Sequence, residues 1–435
     1  MSLASKLPWT HRFAGGYPGL SSQPLPTDAD AIDYLSRMAT ADGAGVETGV
    51  AVAVDAFVRD SKALGVWDSI RASCVLAGAR TLAGALVPLK NEGPELVDID
   101  NLPTPEISDL SGSAGEWDAA TRTMSSPTVG GSVSYPRFRF YYADMPSGKQ
   151  YAISGRLTGD VSHVNFVRAG ASGDLAAING DGTFSATLNA SGAGGVVFII
   201  NGTLAPTSVT IESLSIREVI DAPTNVADGF VEGDYSRTAG LTGDGTSYID
   251  SGRASDDDLQ NDRHLSVLVT SATTNNRAFI GSIDRNATPT SANQLYWRLG
   301  PPHFLCNASS DNFVTTDDYS GNQAFVGVTR SSAGTQVARL GNNEYEGSQV
   351  SVSPSSLSNY VFARNDTDGS LDTSDATIAF YSIGTSLSLE DLDTAVTNLI
   401  NRLKFALLVG ENPSGLDPDT IDYIVRGYEA GGSLE

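Results

Sequence analysis

The chain holds four histidines, His11, His163, His264 and His303. None stands at metal-ligand spacing, and no HExxH, GxSxG or CxxC pattern accompanies them. A Ser–His–Asp triad could be assembled from distant positions of any chain this rich in Ser and Asp. His264 opens a strand pattern and reads first as a sheet-edge histidine. Carboxylates are better placed for chemistry. Asp256-Asp257-Asp258 and Asp317-Asp318 are adjacent acids in polar stretches. Solvated acidic turns are their default reading. Calcium is the cation such hard oxygen ligands would hold, and paired acids could also flank a glycosidic bond.

Binding chemistry centres on aromatics beside polar groups. Tyr296, Trp297 and Arg298 precede GPPHF, and Asn307, Asn312 and Tyr319 follow. An aromatic face stacks on a pyranose while the amides and guanidinium take its hydroxyls. Trp297 also reads as a core residue of a strand. Tyr141 and Tyr142 are neighbours, so in a strand one of them faces out. The glycine-rich LTGDGTSY and NGDGTF lack the GxxxxGK[ST] pattern and read as hairpin or bulge turns, not phosphate loops. No enzyme is written in these patterns, and cleavage of polysaccharide is the least favoured reading.

Composition narrows the partners. The 435 residues include 27 Lys and Arg against 51 Asp and Glu, a net charge of −24. That balance argues against nucleic acid, whose phosphates need basic side chains, and against an anionic membrane surface. Cys74 and Cys306 are the two cysteines, too few for a disulfide framework or a Cys-rich zinc site. No run of 18 apolar residues is present, so no membrane insertion is expected. MSLASKLPWTHRFAGGYPGL lacks the apolar core of a secretory signal.

These candidates need a scaffold, and the periodicity supplies one. Residues 1–27, with four prolines, read as an extended arm whose Trp9, Phe13 and Tyr17 dock on a neighbouring subunit. Residues 28–100 read as a helical docking region and linker. Asp28 caps a first helix with Ile32, Leu35 and Ala39 on one face. Val46, Val50, Val54, Phe57 and Val58 stripe a second, ending near Gly65. Trp67, Ile70, Cys74 and Leu76 continue into a third, stopped by Pro88. Residues 101–222 then alternate as short strands of a jelly-roll, with Val196–Ile200 apolar throughout and fit for burial on both faces.

Residues 223–409 form a larger β-region, with Tyr360–Ala363 and Ile378–Tyr381 as central strands. It ends in a helix started by Ser388 and Asp391 and striped by Leu389, Leu392, Val396, Leu399 and Leu403. Residues 410–435 read as a short helical tail. Asp30–Arg37 and Asp419–Arg426 echo one another, by duplication or by convergent helix-start chemistry. The fold class is therefore mainly β, two sandwiches with a small helical region before them and a helix after.

The run from AIDYLSRMATADGAGVETGV to AGALVPL resembles a segment common in bacteriophage virion proteins. LTGDGTSYIDSGR, NDRHLSVLVTSA, AFIGSI, FVGVTRSS, YVFARN and IAFYSIGTSLSLEDLDTAV, in that order, resemble the concanavalin A-like (laminin G-like) lectin domains of phage tail-fibre and minor structural proteins. The resemblance covers residues 28–90 and about 235–435. YAISGRLTGD, NGDGTFSATLNASG and VTIESLSIREV are similar to jelly-roll carbohydrate-binding modules. The resemblance implies display on the exterior of a virion, as a homo-oligomer and by analogy a trimer. It implies attachment to other virion proteins through the N-terminal region, and contact with host surface polysaccharide. No cofactor is implied, calcium aside. A tail-fibre or receptor-binding protein is the first expectation; a capsid decoration, cement or head-fibre protein with a purely structural role is the alternative.

Overall fold

A computed structural model describes residues 26–97, 99, 102–109, 115–126, 136–142, 145, 148–169, 175–191, 195–200, 207–219, 226–273, 277–297, 303–308 and 322–411. The expected arm aromatics Trp9, Phe13 and Tyr17, and the helical tail, lie outside them. Two compact units divide the chain: residues 1–91 with 223–435, and residues 92–222.

The first unit is layered. Its back sheet has Thr377–Gly384 at the centre, with Ile70–Val75 on one side and Arg263–Ser271 on the other, followed by Ala324–Arg330, Thr335–Leu340 and Asn343–Ser348. Its front sheet runs Val226–Asp228, Tyr248–Ala254, Ser358–Val361, Arg277–Asp284, Ser291–Trp297 and His303–Ala308. Leu265, Val267, Val269, Tyr381 and Ile383 of the back sheet meet Phe279, Ile280, Leu295 and Phe304 of the front sheet in one core. Alternate residues of the same back strands, Leu268, Phe325, Ala379 and Phe380, face a helical layer. All eight residues of Thr377–Gly384 are thus buried, which is why that strand is apolar without alternation.

The helical layer consists of α1 (Ala29–Ala41), α2 (Thr48–Ala63) and, after the short turn α3 (Leu82–Ala85), the long α4 (Leu389–Glu411). Asp28 caps α1 by accepting from the Asp30 amide at 2.9 Å. Ser388 Oγ accepts from the Asp391 amide at 3.2 Å at the start of α4. Asp55 of α2 accepts from the amides of Thr27 and Asp28, 2.8 Å each, and ties the two helices together. Where α2 meets α4, a Cβ on Gly49 would stand 2.7 Å from Ala406 Cβ. Gly→Ala in a helix ordinarily gains up to about 1 kcal/mol, but overpacking costs about 1–3 kcal/mol. Gly49→Ala is therefore expected to lower stability, by about 1 kcal/mol in urea unfolding; a gain would show slack between the helices.

The expected third helix is absent. Trp67–Ser69 forms one 3-10 turn, and Ile70–Val75 is a strand paired antiparallel with Thr377–Gly384, Ala72 opposite Ile383 and Cys74 opposite Tyr381. Ile70 and Cys74 are four apart, a spacing that satisfies a helical period and a strand period alike. The sheet edge decides between them. The segment expected as a separate docking region accordingly shares its core with the larger β-region.

The second unit is a sandwich. One sheet is built on Thr183–Asn189, Gln150–Gly159 and Thr207–Val219; the other runs Glu106–Asp109, Pro136–Phe140, Val196–Ile200, Val164–Ala169 and Leu175–Ala177. Phe138, Phe140, Phe184 and Phe198 fill the space between. Phe198 packs edge-on to Phe140 and Phe184 at 5.9 and 6.1 Å. Val196–Ile200 is buried at every position, as its apolar run implies. The turn at Asn179–Gly182 is not a hairpin: it carries the chain from one sheet to the other, Gly182 taking a positive φ of 84°. LTGDGTSY makes the same kind of crossing in the first unit. There Asp244 accepts from the Thr246 hydroxyl and from the amides of Thr246 and Ser247, which holds its carboxyl down at about 2.

Candidate functional site

The front sheet of the first unit carries its polar aromatics on the side away from the core. Ile249 and Val361 point inward, so Tyr248, Asp250 and Tyr360 point out. Tyr248 and Tyr360, on adjacent strands, stack with ring centroids 4.4 Å apart and planes 21° from parallel. The residue opposite Tyr360 on the next strand is Gly281, and beyond it stands Gln294. Gly281 has a φ of 151°, and a Cβ there would lie 2.4 Å from the Asn293 carbonyl oxygen. Gln294 Cβ would be only 2.6 Å from it as well, so the neighbouring strand closes on this position and only glycine fits there.

Next to Gly281, Arg364 Nη1 donates to Gln294 Oε1 at 3.2 Å, and the Arg364 guanidinium lies 5.4 Å from the centre of the Tyr296 ring. Asp372 pairs with Arg364, and Asp366 stands 3.6 Å from it. Tyr248, Tyr360 and Tyr296 are half-buried, so each keeps solvent-facing surface. Ring faces, a guanidinium, an amide and carboxylates on one sheet face make a surface able to stack on a sugar and hydrogen-bond its hydroxyls.

Of the residues singled out by sequence, Tyr296 belongs to this face. Trp297 does not: the strand's alternation turns it inward, where it is 8% exposed and stacked on Phe279 at 6.3 Å. Asn307 lies on strand His303–Ala308, with its side chain outside the described residues; Arg298, Asn312, Asp317, Asp318 and Tyr319 lie wholly outside them. Tyr141, exposed, accepts from Arg139 Nη1 at 3.0 Å and donates to Glu106 at 2.5 Å, whereas Tyr142 packs on the core of the second unit.

The acidic run does not converge on a cation. Asp258 is buried in a two-point pair with Arg253 at 2.5 and 2.9 Å. Asp257 accepts from the Ala254 amide at 2.7 Å, and Asp256 is exposed. Among the described residues no three His, Cys, Asp or Glu side chains are grouped to hold a metal ion.

Among the described residues one Ser–His contact is found, and it is sealed. His264, 1% exposed, has Nδ1 2.6 Å from the Thr385 carbonyl and Nε2 2.9 Å from Ser382 Oγ; Ser382 in turn is 2.7 Å from Ser266 Oγ. A carbonyl only accepts, so Nδ1 carries the proton and Ser382 donates to Nε2. Burial pushes the imidazole pKa down to about 4, which agrees with that neutral ring. Ser382 has no exposed surface at all, so no substrate reaches it. Burial likewise raises the Cys306 thiol to about 11, far from a reactive thiolate.

Tyr248, Tyr360, Gln294 and Arg364 were missed by sequence reasoning because they come from three separate stretches of the chain and share no motif. Alternation in TSYIDSGR and SNYVFAR was the available signal: both place a tyrosine opposite in phase to inward Ile or Val.

No protein-family model matches the chain, and no curated protein does. Among solved structures, mouse laminin alpha1 chain, domains LG4-5, is similar at 11% identity, over 68% of this chain and 83% of that one, with a TM-score of 0.24. The β-sandwich class rests on the sheets themselves. Among the described residues no helix is long and apolar enough to cross a membrane.

Proposed function

We propose that the protein is a non-catalytic display protein of a bacteriophage particle, binding host surface polysaccharide through the front face of its first unit. The observation that carries the glycan reading is the stacked pair Tyr248–Tyr360 on the outer face of the front sheet, with Arg364, Gln294 and Tyr296 on the strands beside it. Its display on the virion exterior, its trimeric assembly and its attachment to other virion proteins through the N-terminal region follow from the family resemblance. The reading calls for no cofactor and for no hydrolysis.

The test is binding of the full chain to an array of bacterial surface polysaccharides, repeated with Tyr360→Ala. Loss of the stacked ring is expected to weaken binding about tenfold, the equivalent of about 1.4 kcal/mol, while the melting temperature stays within a few degrees. Absence of any glycan binding, together with full occupancy of a capsid lattice, would replace this reading with that of a cement protein.

A further inference from the structure

The guanidinium that borders the tyrosine face is already engaged on both sides. Arg364 Nη1 donates to Gln294 Oε1 at 3.2 Å, while Nη2 pairs with Asp372 and stands 3.6 Å from Asp366. The Arg364 side chain is 10% exposed, so turning it toward a ligand would break both ion pairs. Asp366 is closed to solvent and is held in turn by Arg285 Nε at 2.7 Å. Asp372 keeps 32% of its side-chain surface in solvent at the border of the face.

Carboxylates outnumber cations in this cluster. Arg285 and Arg364 stand against Asp366, Asp368 and Asp372. Asp250 adds a fourth carboxylate, in register opposite Tyr360 and turned to the same side of the sheet. Its Oδ1 accepts from the Gly252 amide at 2.8 Å. Burial, and after it the Asp250 charge, pushes the Tyr360 hydroxyl above its usual pKa, so this acid bears on the stacked ring. The formal balance of these six groups is 2 − 4, or −2, within a chain of −24.

Such a rim discriminates by charge. A sugar hydroxyl donates to a carboxylate, and a bond to an ionised acceptor is stronger than one to a neutral group. A saccharide carboxylate or phosphate has no proton to give there and meets like charge at short range. An arginine could reverse the preference by taking the anion, but Asp372 and Asp366 occupy Arg364. We infer that the tyrosine face takes uncharged saccharides and turns away acidic ones, and that Asp372 sets this choice by neutralising Arg364. The inference rests on the glycan reading above and adds to it the chemical class of sugar.

The experiment measures binding of the full chain to uronate-containing polysaccharides, each presented native and carboxyl-reduced. Reduction turns every uronate into the corresponding hydroxymethyl sugar and keeps linkage and ring stereochemistry, so the charge is what differs. The reduced forms are expected to bind about tenfold more tightly than the native ones. Raising the salt to about 0.5 M should narrow that ratio, because screening weakens repulsion, a readout that needs no variant to fold. Asp372→Asn keeps the shape and an acceptor for Arg364 but removes the charge. It should strengthen binding of the native forms by about threefold or more and leave the reduced forms little changed. Asp256→Asn, which removes one exposed charge elsewhere, should leave the ratio as it is. Native forms that bind as tightly as reduced ones would overturn the inference while the glycan reading stands. So would a ratio that ignores both salt and Asp372→Asn, or one that Asp256→Asn shifts as far. Binding of neither form would overturn the glycan reading, and this inference with it.

Discussion

Asp258→Ala is expected to destabilise the first unit by about 3–5 kcal/mol, the largest single effect among substitutions outside the apolar core. The Arg253 and Asp258 side chains are 1% and 2% exposed and bonded at two points. Removing the carboxylate leaves a guanidinium in a dry interior without its counter-charge, and that penalty, not the lost attraction, sets the size. The double replacement Arg253→Met with Asp258→Leu removes both charges and should lie closer to the wild type than Asp258→Ala. Urea unfolding of the three proteins checks this; a double variant as unstable as the single one would refute it. Burial alone would raise the Asp258 pKa, but the pair with Arg253 outweighs it and holds the carboxyl below the usual 3.8. Its contribution is therefore present above about pH 4 and lost as pH falls through the folded value.

His264 governs a higher pH window. Its pKa is about 4 in the folded protein against 6.5 when free, because burial disfavours the imidazolium. Below pH 6.5 the unfolded chain takes up a proton that the folded chain refuses, so stability falls as pH drops from 6.5 toward 4. A difference of about 2.5 pKa units amounts to about 3 kcal/mol over that range, and about 2 kcal/mol by pH 5. His264→Gln should lack this slope while being less stable at pH 7, where the wild-type ring is bonded at both nitrogens. Carboxylates titrate alike in both proteins and cancel in the comparison. Parallel pH profiles for the two would show that His264 is accessible to protons in the folded state.

Much of the architecture was legible because burial imposes period. Leu265, Val267 and Val269 alternate because one face of their strand meets the front sheet. Leu389, Leu392, Val396, Leu399 and Leu403 repeat at helical spacing because one side of α4 lies on the helical layer. Asp28 and Ser388 announced their helices because a side-chain oxygen must satisfy the first free amides. Reading failed where two periods coincide, as at Ile70 and Cys74. It also failed where a loop signal is indifferent to destination: Asn179–Gly182 marks a turn, but no local residue tells whether the turn joins neighbouring strands or opposite sheets. Trp297 shows the same limit for function. The pair Tyr296-Trp297 alternates faces in any strand, and which ring meets solvent depends on which side the core lies.

By itself the sequence determined the class of the molecule: sheet-forming alternation, capped amphipathic helices, and a charge of −24 that argues against a polyanion-covered surface as the general partner. Those properties are local or additive, so a linear reading suffices. The tertiary structure alone decided where chemistry can happen. It buried His264 and Asp258, which looked available, and brought together Tyr248, Tyr360 and Arg364, which looked unrelated. Desolvation and proximity depend on strand pairing between residues far apart in the chain, and no spacing along one strand encodes which other strand will lie beside it.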